Sequence, residues 1–146
     1  MRRILLALAL AMALSHAACG ADNTTTDSMK IRIKVEDSVI TATLIDSKTT
    51  QDFISLLPLT LTMNDLFRRE KFGHLPRAIS KEGKRTHTYE VGDIAYWPPG
   101  PDVATFNRHD GQEIPDPGII VIGKIDSGVE TFNVPGSVRV TVEFIK

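Results

Sequence analysis

A mainly β chain closing into a barrel of about eight strands, with one or two short helices, is the fold class this sequence predicts. Three observations carry the prediction. Period-two alternation of β-branched and polar residues recurs from Met29 onward. Clusters of Gly, Pro, Asn, Asp and Ser interrupt it at short intervals. A single stretch shows helical spacing with both a cap and a stop. Closure follows because a barrel leaves no strand edge unpaired.

The elements can be justified in order. Met29–Glu36 sets Ile31, Ile33 and Val35 on one face and Lys30, Arg32, Lys34 and Glu36 on the other, which is a half-buried strand. Asp37-Ser38 turns the chain, and Val39–Ile45 repeats the pattern through Ile40, Ala42 and Leu44, making a hairpin. Asp46 or Ser47 then caps a helix, since a short side-chain oxygen satisfies free first-turn amides. Phe53, Ile54, Leu56 and Leu57 give that helix its apolar face, and Pro58 stops it. Leu59–Met63 alternates as a strand, Asn64–His74 reads as irregular with Phe67 and Phe72 inside it, and Leu75–Ile79 reads as extended. After the Ser80–Arg85 loop, Gly92-Asp93 forms a turn and Ile94–Trp97 a strand; Pro98-Pro99-Gly100-Pro101 then bends the chain tightly into Val103–Phe106. Beyond the polar loop Asn107–Gly118, Ile119–Ile125 is a buried strand with Gly123 marking a bulge. Ser127–Val134 holds one helical turn, and Ser137–Ile145 closes the chain with Val138, Val140, Val142 and Phe144 inward.

The head of the chain concerns destination. Arg2-Arg3, the apolar run Ile4–Leu14 and the small residues before Cys19 make residues 1–19 an export signal, too short to span a bilayer. Cys19 is the only cysteine; with Ala17-Ala18 before it and Gly20 after it, the signal resembles that of bacterial lipoproteins, whose cysteine is lipidated and becomes the new N-terminus. His16 departs from that pattern, where leucine is usual, and cleavage after Ala17 or Ser15 to give a secreted soluble protein is the competing route. Residues 20–28 lack large apolar side chains and read as a flexible tether, leaving 29–146 as one domain. The expected location is the periplasm or outer envelope, with membrane contact only through a lipid at Cys19. A formal net charge of −1 and the absence of long basic runs argue against a nucleic-acid partner; the nearest to such a run, Arg68-Arg69 beside Glu70-Lys71, is partly charge-balanced and reads as solvated surface.

Several stretches together resemble the cyclophilin-like fold families: Thr41–Asp46, Thr50–Pro58, Glu70-Lys71, Leu75-Pro-Arg-Ala-Ile79, Val91–Gly100, Val103–Phe106, and Ile119–Ile125 through Glu130. The resemblance implies a closed barrel, and these families are mostly of unassigned function. In true cyclophilins a Phe-His-Arg-Ile/Val-Ile stretch supplies the arginine that assists X-Pro rotation. Leu75–Ile79 is its counterpart by resemblance, with Arg77 as the donor and Phe106 or Trp97 walling a proline pocket. The Gln-Gly-Gly-Asp segment of cyclophilins is missing, Pro76 removes a backbone donor, and the plainer role for Arg77 is a surface arginine paired with Glu70 or Glu82.

Other constellations are thin. Successive strand residues point to opposite faces, so one of Tyr96 and Trp97 faces outward or into a groove. Phe53 and Phe144 sit on apolar faces and belong to the core. His74, His87 and His109 share no metal-ligand spacing, His109-Asp110 is a loop pair, and no serine sits in a nucleophile elbow. No cofactor motif or phosphate-cradling glycine loop is present. The expectation is a binding module for a peptide, protein segment or small ligand, with a groove of Tyr96, Trp97, Phe106, Phe67, Phe72 and His109. Peptidyl-prolyl isomerase is the alternative, resting on Arg77.

Overall fold

Alternating β-branched residues at the start of the domain become its first hairpin. β1 (Lys30–Val35) and β2 (Ser38–Leu44) pair antiparallel with Ile33 opposite Ile40, and Ile31, Ile33 and Val35 enter the core. The computed structural model describes residues 28–146, so the export signal, Cys19 and all but the last residue of the tether lie outside the described residues. Helix α1 (Lys48–Ile54) follows, capped by Ser47, whose Oγ accepts from Thr50 N at 3.1 Å. It ends at Ile54, so Leu56 and Leu57 pack against the core from the turn beyond the helix and not from its face.

The remaining strands are β3 (Leu59–Leu66), β4 (Glu70–His74), β5 (Asp93–Trp97), β6 (Asp102–Phe106), β7 (Ile120–Ile125) and β8 (Val138–Ile145), with a 3-10 turn at Val129–Phe132. They form a closed barrel in the order β1-β2-β7-β5-β6-β4-β3-β8, every pairing antiparallel, with β8 closing the ring on β1. The expected eight-stranded closed barrel is therefore the fold. Inside it pack Ile31, Ile33, Ile94, Tyr96, Ile122 and Val140, among others. The bulge expected at Gly123 is present: the β5–β7 register jumps from Ile94–Gly123 to Ala95–Val121. A Cβ on Gly123 would come within 2.7 Å of the Thr43 carbonyl, so the close approach of β2 requires glycine.

Three expectations fail for identifiable reasons. Residues 64–74 are not irregular but form a hairpin, in which β3 continues to Leu66 and β4 starts at Glu70. Its turn hides from sequence inspection because it contains neither Gly nor Asn, although Phe67 and Arg68 both adopt left-handed backbone (φ +55° and +53°). Residues 75–79 are not a strand, and only Leu75 and Ile79 are buried. Phe144, expected inside, is 37 % exposed, because its position on β8 falls at the barrel rim beside the chain end.

Lys71 on β4 is fully buried, and its ammonium holds the far side of that hairpin to the chain before β8. Its Nζ donates to Asp65 Oδ1 (3.1 Å), Val134 O (2.5 Å) and Gly136 O (2.8 Å). Three donors meeting three acceptors make its burial tolerable.

Candidate functional site

Outside the barrel, a second apolar cluster covers the β5–β6 face. On β5, Ile94 and Tyr96 face the interior, while Ala95 and Trp97 belong to the outer cluster; on β6, Val103 faces in and Ala104 and Phe106 face out. Ala95 and Ala104 sit directly opposite each other. Two methyl groups in place of larger side chains leave room above the sheet, and the chain at Ile114 and Ile119 roofs part of it. What remains open is a cleft of about 300 Å³, walled by Phe67, Phe72, Trp97, Phe106, Ile114 and Ile119. Leu66, Pro115, Asp102 and Ala104 complete the lining, together with the charged pair Arg69 and Glu70.

That pair is the polar centre of the cleft. Arg69 follows the left-handed turn, its N–H donating to Leu66 O (3.0 Å) while the strand ladder resumes only at Leu66–Glu70. The extra residue aims its guanidinium across the outer face. Nε donates to Glu70 Oε2 at 3.0 Å, Nη2 lies 2.9 Å from the same oxygen in the ion pair, and Nη1 donates to Asp110 Oδ2 at 3.5 Å. The guanidinium also lies 5.4–5.9 Å from the ring centroids of Phe67, Tyr89 and Phe106, within cation–π range. Tyr89 stacks between Phe106 (centroids 4.2 Å apart) and His109 (4.7 Å), and its hydroxyl donates to Asp110 Oδ1 at 3.0 Å.

Electrostatics follow from this packing. Burial, opposed by the Arg69 guanidinium, pushes the Glu70 carboxyl above its ordinary value. Asp110 is held below its ordinary value, first by the Gln112 N–H and then by the Tyr89 hydroxyl and Arg69. Burial chiefly raises the Tyr89 phenol. Glu70 Oε1, unlike Oε2, accepts no hydrogen bond from any described residue. The cleft thus combines aromatic walls, one carboxylate oxygen free to accept, and a cation whose Nε and Nη2 are already engaged.

Of the residues the sequence singled out, Phe67, Phe72, Trp97 and Phe106 line this cleft together. His109 stands behind it on Tyr89. Tyr96 is in the barrel core, 1 % exposed, with its hydroxyl accepting from Ile79 N at 3.2 Å; of the Tyr96-Trp97 pair, the tryptophan faces the cleft. Arg77 lies elsewhere, exposed, with Nη2 donating to Ser55 Oγ at 2.8 Å. Arg69 and Glu70, which sequence reasoning took for a charge-balanced surface, are the charged groups of the cleft. The signal that could have found them is Phe67-x-Arg69-Glu70-x-Phe72, aromatic residues bracketing a charge pair. Among the described residues, no three His, Cys, Asp or Glu side chains converge as a metal centre would.

An eight-stranded antiparallel barrel carrying an aromatic cleft on its outer wall defines a class with which sequence comparison agrees. The chain belongs to the cyclophilin-like family, whose profile matches residues 33–143. It is also similar to the solution structure of a hypothetical protein from Archaeoglobus fulgidus, at 26 % identity and a TM-score of 0.65, over 81 % of this chain and 95 % of that one. No curated protein matches.

Proposed function

We propose that this cyclophilin-like domain is an exported, lipid-anchored binding module, and that the outer cleft takes an apolar side chain of a peptide or protein segment, or a small ligand of similar size. The cleft itself carries the reading. Its volume of about 300 Å³ suits one bulky group, and Trp97, Phe72 and Phe106 offer large contact area with few rotors. The unengaged Oε1 of Glu70 favours an occupant that brings an N–H donor beside its apolar body. Titrating Trp97 fluorescence with short peptides, each an aromatic or aliphatic residue with free flanking amide N–H groups, tests this. Saturable change lost in Phe72→Ala is the expected result; a silent Trp97 across such a series sinks the cleft.

Peptidyl-prolyl isomerase is the second reading, favoured by one observation: an arginine does stand beside Phe106 within the cleft, though it is Arg69. Rotation about X-Pro crosses a barrier of roughly 18–20 kcal/mol, and a guanidinium helps only if it can reach the amide. Nε and Nη2 of Arg69 are committed to Glu70, which weakens this reading. Exchange spectroscopy on an Ala-Pro peptide decides. Acceleration abolished by Arg69→Lys assigns the work to the cleft, acceleration abolished by Arg77→Ala assigns it to the outlying arginine, and no acceleration retires the enzyme. Anchoring rests on the head of the chain alone: Cys19→Ser should move the protein from membrane to soluble fractions.

A further inference from the structure

Back to back with the aromatic cleft, and sharing no lining residue with it, lies a polar groove of about 430 Å³. The two sites draw on neighbouring residues of the same two segments. Phe67, Arg69 and Phe106 serve the cleft, whereas Arg68, Asn107 and Arg108 serve the groove, which the Asn133–Gly136 chain closes on its other side. The Arg69 carbonyl joins the segments by accepting from both Asn107 N (2.9 Å) and Arg108 N (3.1 Å).

Three features of the groove are unsatisfied or uncompensated. Asn107 is 6 % exposed, and its amide is held in place by Nδ2 donating to Asn133 Oδ1 at 2.7 Å. Its Oδ1 is buried and accepts no hydrogen bond among the described residues, a costly state that a donor from outside would relieve. Arg68 and Arg108 are both exposed, and neither enters an ion pair among the described residues. The one carboxylate in the groove, Asp65, is answered by the buried Lys71 ammonium at 3.1 Å and by the Arg68 N–H at 3.0 Å. Two guanidinium-bearing side chains line this space, and the orphan acceptor lies just beneath its lining at Asn107.

We propose that this groove binds a carboxylate with an N–H donor close beside it, the carboxylate on Arg68 and Arg108 and the N–H on Asn107 Oδ1. A peptide C-terminus has that arrangement, and so does an internal acidic residue flanked by its backbone amide. The site stands independently of the cleft's occupant.

Titration of ¹⁵N-labelled protein tests it, following the Asn107 side-chain amide and the Arg108 backbone N–H. Three probes are used: N-acetyl-Ala-Ala with a free carboxylate, the same dipeptide as its C-terminal amide, and N-acetyl-Ala-Asp-Ala amide. Saturating shifts with the free acid and none with its amide support C-terminal recognition; saturation only with the Asp peptide supports the same chemistry from a side chain. Arg108→Ala and Arg68→Gly should each weaken the response about tenfold, the latter without harm to a turn that already has left-handed backbone. Equal response to acid and amide, no saturation with either carboxylate, or indifference to both arginine substitutions overturns the site. Shifts confined to the Trp97 indole overturn it too, while leaving the cleft reading intact.

Discussion

Arg69 shows how much one side chain can be asked to hold. It is 5 % exposed, bound through two nitrogens to one oxygen of Glu70, near Asp110 and surrounded by three aromatic rings. Arg69→Met should cost about 3–5 kcal/mol at neutral pH, because it strands the Glu70 charge in a buried setting. The pH dependence has a definite sign. Burial already raises the Glu70 carboxyl, so its contribution to stability is full below the ordinary value of 4.5 and declines as pH rises through the raised one. Loss of the guanidinium raises it further, so the variant's deficit should be largest near neutrality and narrow in acid. Urea unfolding at the two pH values checks this, and a deficit that is constant with pH contradicts it. Strand alternation was enough to expect one of Tyr96 and Trp97 outside the core, because it is a local rule. Arg69 was not legible, since Arg-Arg-Glu-Lys reads as solvated surface unless the cross-strand aromatics are already placed.

The β3–β4 hairpin turns on two residues poorly suited to it. Phe67 and Arg68 both hold positive φ, where Asn-Gly is the usual choice, and Phe67 is 72 % exposed. Such backbone costs of order 1–3 kcal/mol per residue and persists where the side chains are needed. Phe67→Asn with Arg68→Gly should therefore stabilise the domain by about 1–2 kcal/mol in thermal or urea unfolding. The same double variant should weaken occupancy of the aromatic cleft, whose wall includes Phe67. A variant both less stable and equally good at binding would refute the trade. Elements with strict alternation or a cap, such as β1, β2 and α1, could be read residue by residue, because burial on one face is written into the period. β4 could not, since its burial includes Glu70 and Lys71: the first is buried by aromatic side chains from other strands, and the second gives two of its three hydrogen bonds to Val134 and Gly136, far along the chain.

At the scale of the whole molecule, closure was the feature most open to inference, since many short strands without a long helix leave few other ways to hide edges. The seam is made late: β8 pairs with β1 on one side and β3 on the other, so the first and last strands depend on each other. A chain ending at Gly136 should lose both pairings and fail to fold, giving no cooperative transition by circular dichroism; native-like unfolding of that fragment would contradict the seam's role. The ring order has a practical corollary as well. Counting around it, β6 at the centre of the aromatic cleft stands four strands from β1 and three from β8. The chain just before β1 or just after β8 can therefore serve as a handle for immobilising or displaying the domain, with its receptive wall turned away from the support.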